Sequence, residues 1–198
     1  MMAVLFKEFL NELKNADDAH AEVAALSLAG LTQPEIDAAL EELSTWLSSP
    51  DCDTRWWAVR AIAAIPDPKT PGLLQQALTD PQACVRQCAI VGLRGHPDAG
   101  CVASLVRALE DEDPLVADLA VGALEAIGDP AVPALLELME NGPRAARLKA
   151  VRALAMIGDE RSIPALFAAL DEDSALIEYW ASEGLERMGV GMAFFAPQ

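Results

Sequence analysis

The sequence predicts an all-α fold in which about five two-helix repeats stack into an α-α superhelix. Three observations predict it. One five-residue pattern returns at a nearly constant interval, helix-breaking residues stand at matching positions between the copies, and the apolar residues of each copy keep helical spacing. Strict apolar–polar alternation over a strand length is absent from the sequence.

The pattern is Ala58-Val59-Arg60-Ala61-Ile62. It returns as Ala89-Ile90-Val91-Gly92-Leu93, Ala120-Val121-Gly122-Ala123-Leu124, Ala150-Val151-Arg152-Ala153-Leu154 and Ala181-Ser182-Glu183-Gly184-Leu185, at offsets of 31, 31, 30 and 31. Each of the first four copies marks the first helix of a pair, and the fifth marks a lone first helix. Val116, Ala120, Ala123, Leu124 and Ile127 occupy one helical face. Gly128-Asp129-Pro130 then stops the helix, because glycine suits the position after a helix end and proline suits the first turn of the next. Pro66-Asp67-Pro68, Pro97-Asp98 and Gly158-Asp159 repeat that stop. At the other junction Asp80-Pro81 and Asp113-Pro114 each predict an N-cap aspartate followed by a first-turn proline. Second-helix anchors keep the same period at Leu74, Leu105, Leu135 and Leu166.

Taken in order, residues 1–198 read as one repeat domain. Leu5, Phe6, Phe9, Leu10 and Leu13 mark an amphipathic capping helix in 1–16. A degenerate first repeat, 17–49, has its first helix near Ala19–Gly30 and its second at Gln33–Leu47. Repeats follow at 50–80, 81–112, 113–142 and 143–173. A C-terminal cap, 174–198, holds the lone helix Ala175–Met188 and a tail whose Phe194 and Phe195 are expected to fold over the last exposed face.

Composition narrows the function. Hydrophobic residues make up 53% and aromatics only 5%, so the core is built from Ala, Leu, Val and Ile. Basic residues number 14 and acidic residues 31, a net charge of −17 that repels phosphate backbones and anionic lipid. Nucleic acid and membrane surfaces are therefore excluded as expected partners. The N-terminus shows no signal-peptide pattern, no apolar run is long enough to span a bilayer, and the four cysteines form no CxxC pair. The expected compartment is the cytoplasm.

Val85-Arg86-x-x-Ala89…Leu93 and Ala150-Val151-Arg152-Ala153-Leu154…Ile157-Gly158-Asp159-x-x-x-Ile163-Pro164-Ala165-Leu166 resemble HEAT-like repeats, in particular the short bacterial type named after phycobilisome lyases. The likeness covers about 51–188 and more faintly 17–47. It implies a right-handed solenoid whose second helices line a concave, partner-binding surface. The repeat type serves lyase subunits and scaffolds alike, so the resemblance specifies fold rather than function.

Candidate chemistry is sparse. Cys84 and Cys88 lie one turn apart with His96 eight residues on, which suggests a soft metal site or, more simply, buried small side chains. HEAT-like proteins include di-iron hydroxylases with His-Glu ligand pairs, but His20 and His96 are followed by Ala21 and Pro97. With no phosphate-cradling glycine loop, GxSxG or HExxH either, neither enzymatic activity nor a cofactor is expected. Arg55, Arg86 and Arg147 share one repeat column, and Asp67, Asp98, Asp129 and Asp159 share another. These columns read either as an anion site or as an exposed Asp–Arg ladder between repeats. Trp57 takes the core-side column, leaving Trp56 as the exposed aromatic unless the first repeat covers it. Gln76, Arg107 and Glu137 fall on the outer side of the second helices, above turns carrying Glu110, Asp111, Glu140 and Asp171. Such an acidic rim suits a protein partner with a basic surface; it equally suits a face kept charged for solubility. The expected function is a non-enzymatic interaction or assembly scaffold. The resemblance offers an alternative: a subunit of a bilin lyase/isomerase or a chromophore chaperone.

Overall fold

The computed structural model describes residues 4–14 and 18–190, and among these it contains α-helices and short 3-10 turns but no strand. The chain divides into two compact units, 1–96 and 97–198. The first holds α1 (Val4–Lys14), α2 (Asp18–Ser27), α3 (Gln33–Trp46), α4 (Cys52–Ala64), α5 (Thr70–Ala77) and α6 (Ala83–Gly95). The second holds α7 (Val102–Ala108), α8 (Pro114–Ile127), α9 (Val132–Asn141), α10 (Arg144–Ile157), α11 (Ile163–Ala169) and α12 (Ala175–Arg187). Phe194 and Phe195 lie outside the described residues.

Local signals set most helix starts. Thr32 and Glu35 form a reciprocal capping box at the head of α3, and Asp51 accepts from the Thr54 amide at 2.8 Å to start α4. Asp113 accepts from Val116 at 2.9 Å, with Pro114 in the first turn of α8, as its sequence predicts. Asp80 does not cap α6. That helix begins after Gln82, because Asp80 is drawn to an arginine and keeps only the Gln82 amide, 2.8 Å away. In the turns before second helices, Asp67, Asp98 and Asp159 accept from the amides of Lys69, Gly100 and Arg161 at 2.9, 2.6 and 2.8 Å. Gly128 and Gly158, at φ of 75° and 70°, close α8 and α10 in a backbone region that disfavours side chains with a Cβ.

The recurring pentapeptide is the packing seam. Ala58, Val59, Ala61 and Ile62 are buried, as are their counterparts Ala120, Val121, Ala123 and Leu124. Its fourth position must be small. A Cβ on Gly92 of α6 would lie 2.9 Å from Ala63 Cβ of α4 and 2.9 Å from Leu74 Cδ1. On Gly184 of α12 it would lie 2.7 Å from Ala155 Cβ and 2.8 Å from Ala155 Cα. The period in the sequence is thus the spacing at which first helices approach closely. In the first unit α1 buries Phe6 and Phe9, whose rings lie 6.5 and 6.3 Å from that of Trp46, and Phe9 also meets Trp57 edge-on at 6.2 Å.

Candidate functional site

Each unit presents a groove between consecutive second helices. In the first, Asp37, Glu41 and Ser44 of α3 face Leu73 and Gln76 of α5 across a cavity of about 550 Å³, beside Lys69. Lys69 Nζ donates to Asp37 Oδ1 at 2.6 Å, and this bond chiefly holds the ammonium above its usual pKa. In the second, Ala103 and Val106 of α7 face Ala134 and Glu137 of α9 across about 560 Å³, with Glu110 at the rim. Glu110 and Glu137, both read from the sequence as parts of the acidic rim, line one groove.

Gln76, Arg107, Glu137 and Ala168 are all exposed on α5, α7, α9 and α11, and Glu110, Glu140 and Asp171 are exposed in or beside the following turns. Asp111 differs. It is half-buried and its Oδ1 accepts from the Asp113 amide at 2.9 Å, so its carboxylate already serves the turn.

The arginine column is neither an anion site nor an exposed ladder to the aspartate column. Arg55 is buried and donates from Nε and Nη2 to the two oxygens of Asp80, at 2.6 and 3.0 Å, while Nη1 reaches the carbonyls of Ser49 and Pro50 at 3.0 and 3.3 Å. Arg86 Nη1 likewise donates to backbone carbonyls, those of Asp80 and Pro81, at 2.8 and 3.4 Å. Arg147 pairs with Glu172. In both ion pairs the acid lies 25 residues beyond the arginine, in the turn after its own repeat's second helix. Burial pushes the Asp80 carboxyl up. The Arg55 hydrogen bonds, the Gln82 amide and the guanidinium charges outweigh that effect and leave it below the ordinary carboxylate value.

The aspartates meet other partners. Asp67 accepts from Gln33 Nε2 at 2.9 Å across repeats, and the side-chain and backbone hydrogen bonds of Arg161 hold the Asp159 carboxyl down to about 2.

Trp56 is half-buried rather than fully exposed, and so is Trp57. Their rings meet at 4.9 Å and 88°, and with Asp18, Glu22 and Asp53 they line a cavity of about 480 Å³. Sequence reasoning missed this cavity because Asp18 and Glu22 come from another repeat; the adjacent tryptophans were its only local signal. The cysteine–histidine hypothesis does not assemble. Burial pushes the Cys88 thiol up to about 12, His96 Nε2 sits 2.8 Å from the Ala63 carbonyl, and Cys84 Sγ lies 3.9 Å from Cys52 Sγ. Among the described residues no three His, Cys, Asp or Glu side chains gather closely enough to hold a metal ion. Among them, too, no single helix is long and apolar enough to cross a membrane.

The helix pairs, their seam and their grooves define a helical-repeat protein of the α-α superhelix class. The chain belongs to the HEAT-repeat family, whose profile matches residues 6–94, 70–146 and 102–186. It is 38% identical over 90 residues to the phycocyanobilin lyase subunit beta of Pseudanabaena tenuis, a stretch covering 45% of this chain and 32% of that protein. It is 33% identical over 101 residues to a phycobilisome maturation protein of Synechococcus elongatus, covering 50% of this chain and 49% of that one. The matched stretches thus span half or less of either relative. Among solved structures, a designed armadillo repeat protein in complex with the peptide (KR)4 superposes with a TM-score of 0.52 at 20% identity, covering 94% of this chain and 100% of that one. This last likeness concerns fold alone.

Proposed function

We propose that the chain is a non-enzymatic docking module, a single repeat domain over 1–198 made of the five repeats and end caps read from its sequence. It engages a protein partner with a basic surface through the exposed faces of its second helices. The observation that carries this reading is the groove joining Glu137 of α9 to Glu110 beside α7, with Glu140 exposed in the last turn of α9 and Asp171 exposed after α11. A surface held on stacked helices loses little ordering entropy when a partner docks, and its negative charge accelerates encounter with a basic one. The cytoplasm is the compartment this reading assumes.

Replacing the exposed rim residues Glu110 and Glu140 by Gln and Asp171 by Asn, leaving the turn-forming Asp111 in place, tests it. Partner capture from the source cell should fall about tenfold, and the loss of binding between low and moderate salt should flatten. Capture that is unchanged in amount and in salt response would remove the rim from the proposal.

The relatives named for phycocyanobilin lyase and phycobilisome maturation favour a second reading, in which the chain is one subunit of a bilin lyase/isomerase or a chromophore chaperone. Absorbance and fluorescence during incubation with a bilin and its apo-protein separate the two. A spectral change dependent on this chain supports the second reading, and an inert mixture supports the first.

A further inference from the structure

We infer that the cavity walled by Trp56 and Trp57 is a receptor for one cationic side chain, ammonium or guanidinium, of a partner protein. The inference rests on the docking reading and adds a recognition point on a first helix, apart from the second-helix faces.

Both indoles belong to α4 and are half-buried, so their π-faces are partly withdrawn from water without being closed off. The edge-to-face contact at 4.9 Å fixes one ring against the other and leaves a rigid aromatic corner. Such a corner attracts organic cations, and more strongly where water is partly excluded. The carboxylates around it select for charge. Glu22 is already taken by Arg60, whose Nε donates to both of its oxygens at 2.9 Å. Asp18 and Asp53 line the same cavity and, among the described residues, make no ion pair. An anion would meet the carboxylates of Asp18 and Asp53, and a neutral apolar group would leave them unused. A metal ion would need several ligands converging on a point, which the described residues do not supply. A cation with an apolar stem satisfies both parts of the wall: the stem lies on indole and the charge lies between the aspartates. Lysine and arginine side chains have that form.

The test uses the intact chain and small probes, so it needs no identified partner. The probes are Nα-acetyl-lysine methylamide, Nα-acetyl-arginine methylamide and the neutral isostere Nα-acetyl-norleucine methylamide. Binding is read from the indole N–H signals in nitrogen-15 NMR, assigned with Trp56→Phe and Trp57→Phe. The cationic probes should move the Trp56 and Trp57 signals saturably while those of Trp46 and Trp180 stay in place. The double variant Asp18→Asn, Asp53→Asn should weaken that binding about fivefold or more. Both aspartates are exposed, and an unchanged far-ultraviolet dichroism spectrum would establish that the variant folds. Equal response to norleucine, no response, or full binding by the double variant each overturns the proposal. If the cationic probes bind while partner capture ignores the acidic turns, the receptor stands and the second-helix reading falls. If capture depends on the turns and no probe binds, the reverse holds.

Discussion

The two units fasten the start of a first helix with the same device and with different thoroughness. In the first, Arg55 uses Nε, Nη1 and Nη2, and the side chains of the Arg55–Asp80 pair are 10% and 6% exposed. In the second, Arg147 gives one bond to Glu172, the pair is 30% and 27% exposed, and Arg147 Nε is buried without a protein partner among the described residues. The difference follows from the acid. Asp80 is short and is held in its turn by the Gln82 amide, so both of its oxygens face the guanidinium. Glu172 offers one oxygen from a longer side chain. A repeat column can thus preserve an interaction while its energetic weight changes.

The largest contrast is expected from removing the acids. Asp80→Ala leaves a buried guanidinium without its carboxylate and should cost about 3 kcal/mol, whereas Glu172→Ala should cost roughly 1 kcal/mol. Urea unfolding measures both, and equal losses would break the comparison. The two seam glycines come next. Gly184→Ala drives a methyl against the Ala155 backbone, and Gly92→Ala drives one against Ala63 Cβ and the movable Leu74 side chain. After the helix-propensity gain of alanine, about 1 kcal/mol, Gly184→Ala should destabilise by about 2 kcal/mol and Gly92→Ala by less than half of that. Thermal melts of the two variants rank them.

The smallest effect is acid sensitivity. The Asp80 carboxyl lies below its ordinary value when folded, so its pairing stabilises the protein fully above that ordinary value and is lost as the pH falls through the folded one. Between about pH 5 and pH 3 the wild type should therefore lose more stability than Asp80→Asn does. Parallel curves from melts across that range would mean the pair contributes nothing to acid sensitivity.

The fold was legible because the seam admits only small residues at fixed intervals. Ala61, Gly92, Ala123, Ala153 and Gly184 announce α4, α6, α8, α10 and α12, and Asp113 with Pro114 announces a helix start through local chemistry alone. The site was legible in part. Helical spacing placed Gln76, Arg107 and Glu137 outside correctly, since exposure on a helix follows from period. Arg55 and Arg147 formed a visible column and their acids keep a 25-residue spacing, but the acid changes from Asp80 to Glu172, so the aspartate column was taken for the partner instead. The same pull moved the start of α6 past Asp80 to Ala83. Trp57 was expected on the core side, and Trp56 either in solvent or covered by the first repeat. Both are half-buried, because Phe9 of α1 meets Trp57 and residues of α2 share their cavity.

Asp80 accepts from α4 through Arg55 and from the head of α6 through Gln82, and its own carbonyl takes Arg86. One residue in a loop therefore acts as a knot that ties together α4 and α6, the two helices that flank α5 in sequence and pack directly on each other. Amide protons in the opening turns of α4 and α6 should exchange with solvent together, as a single opening event, rather than each fraying at its own rate.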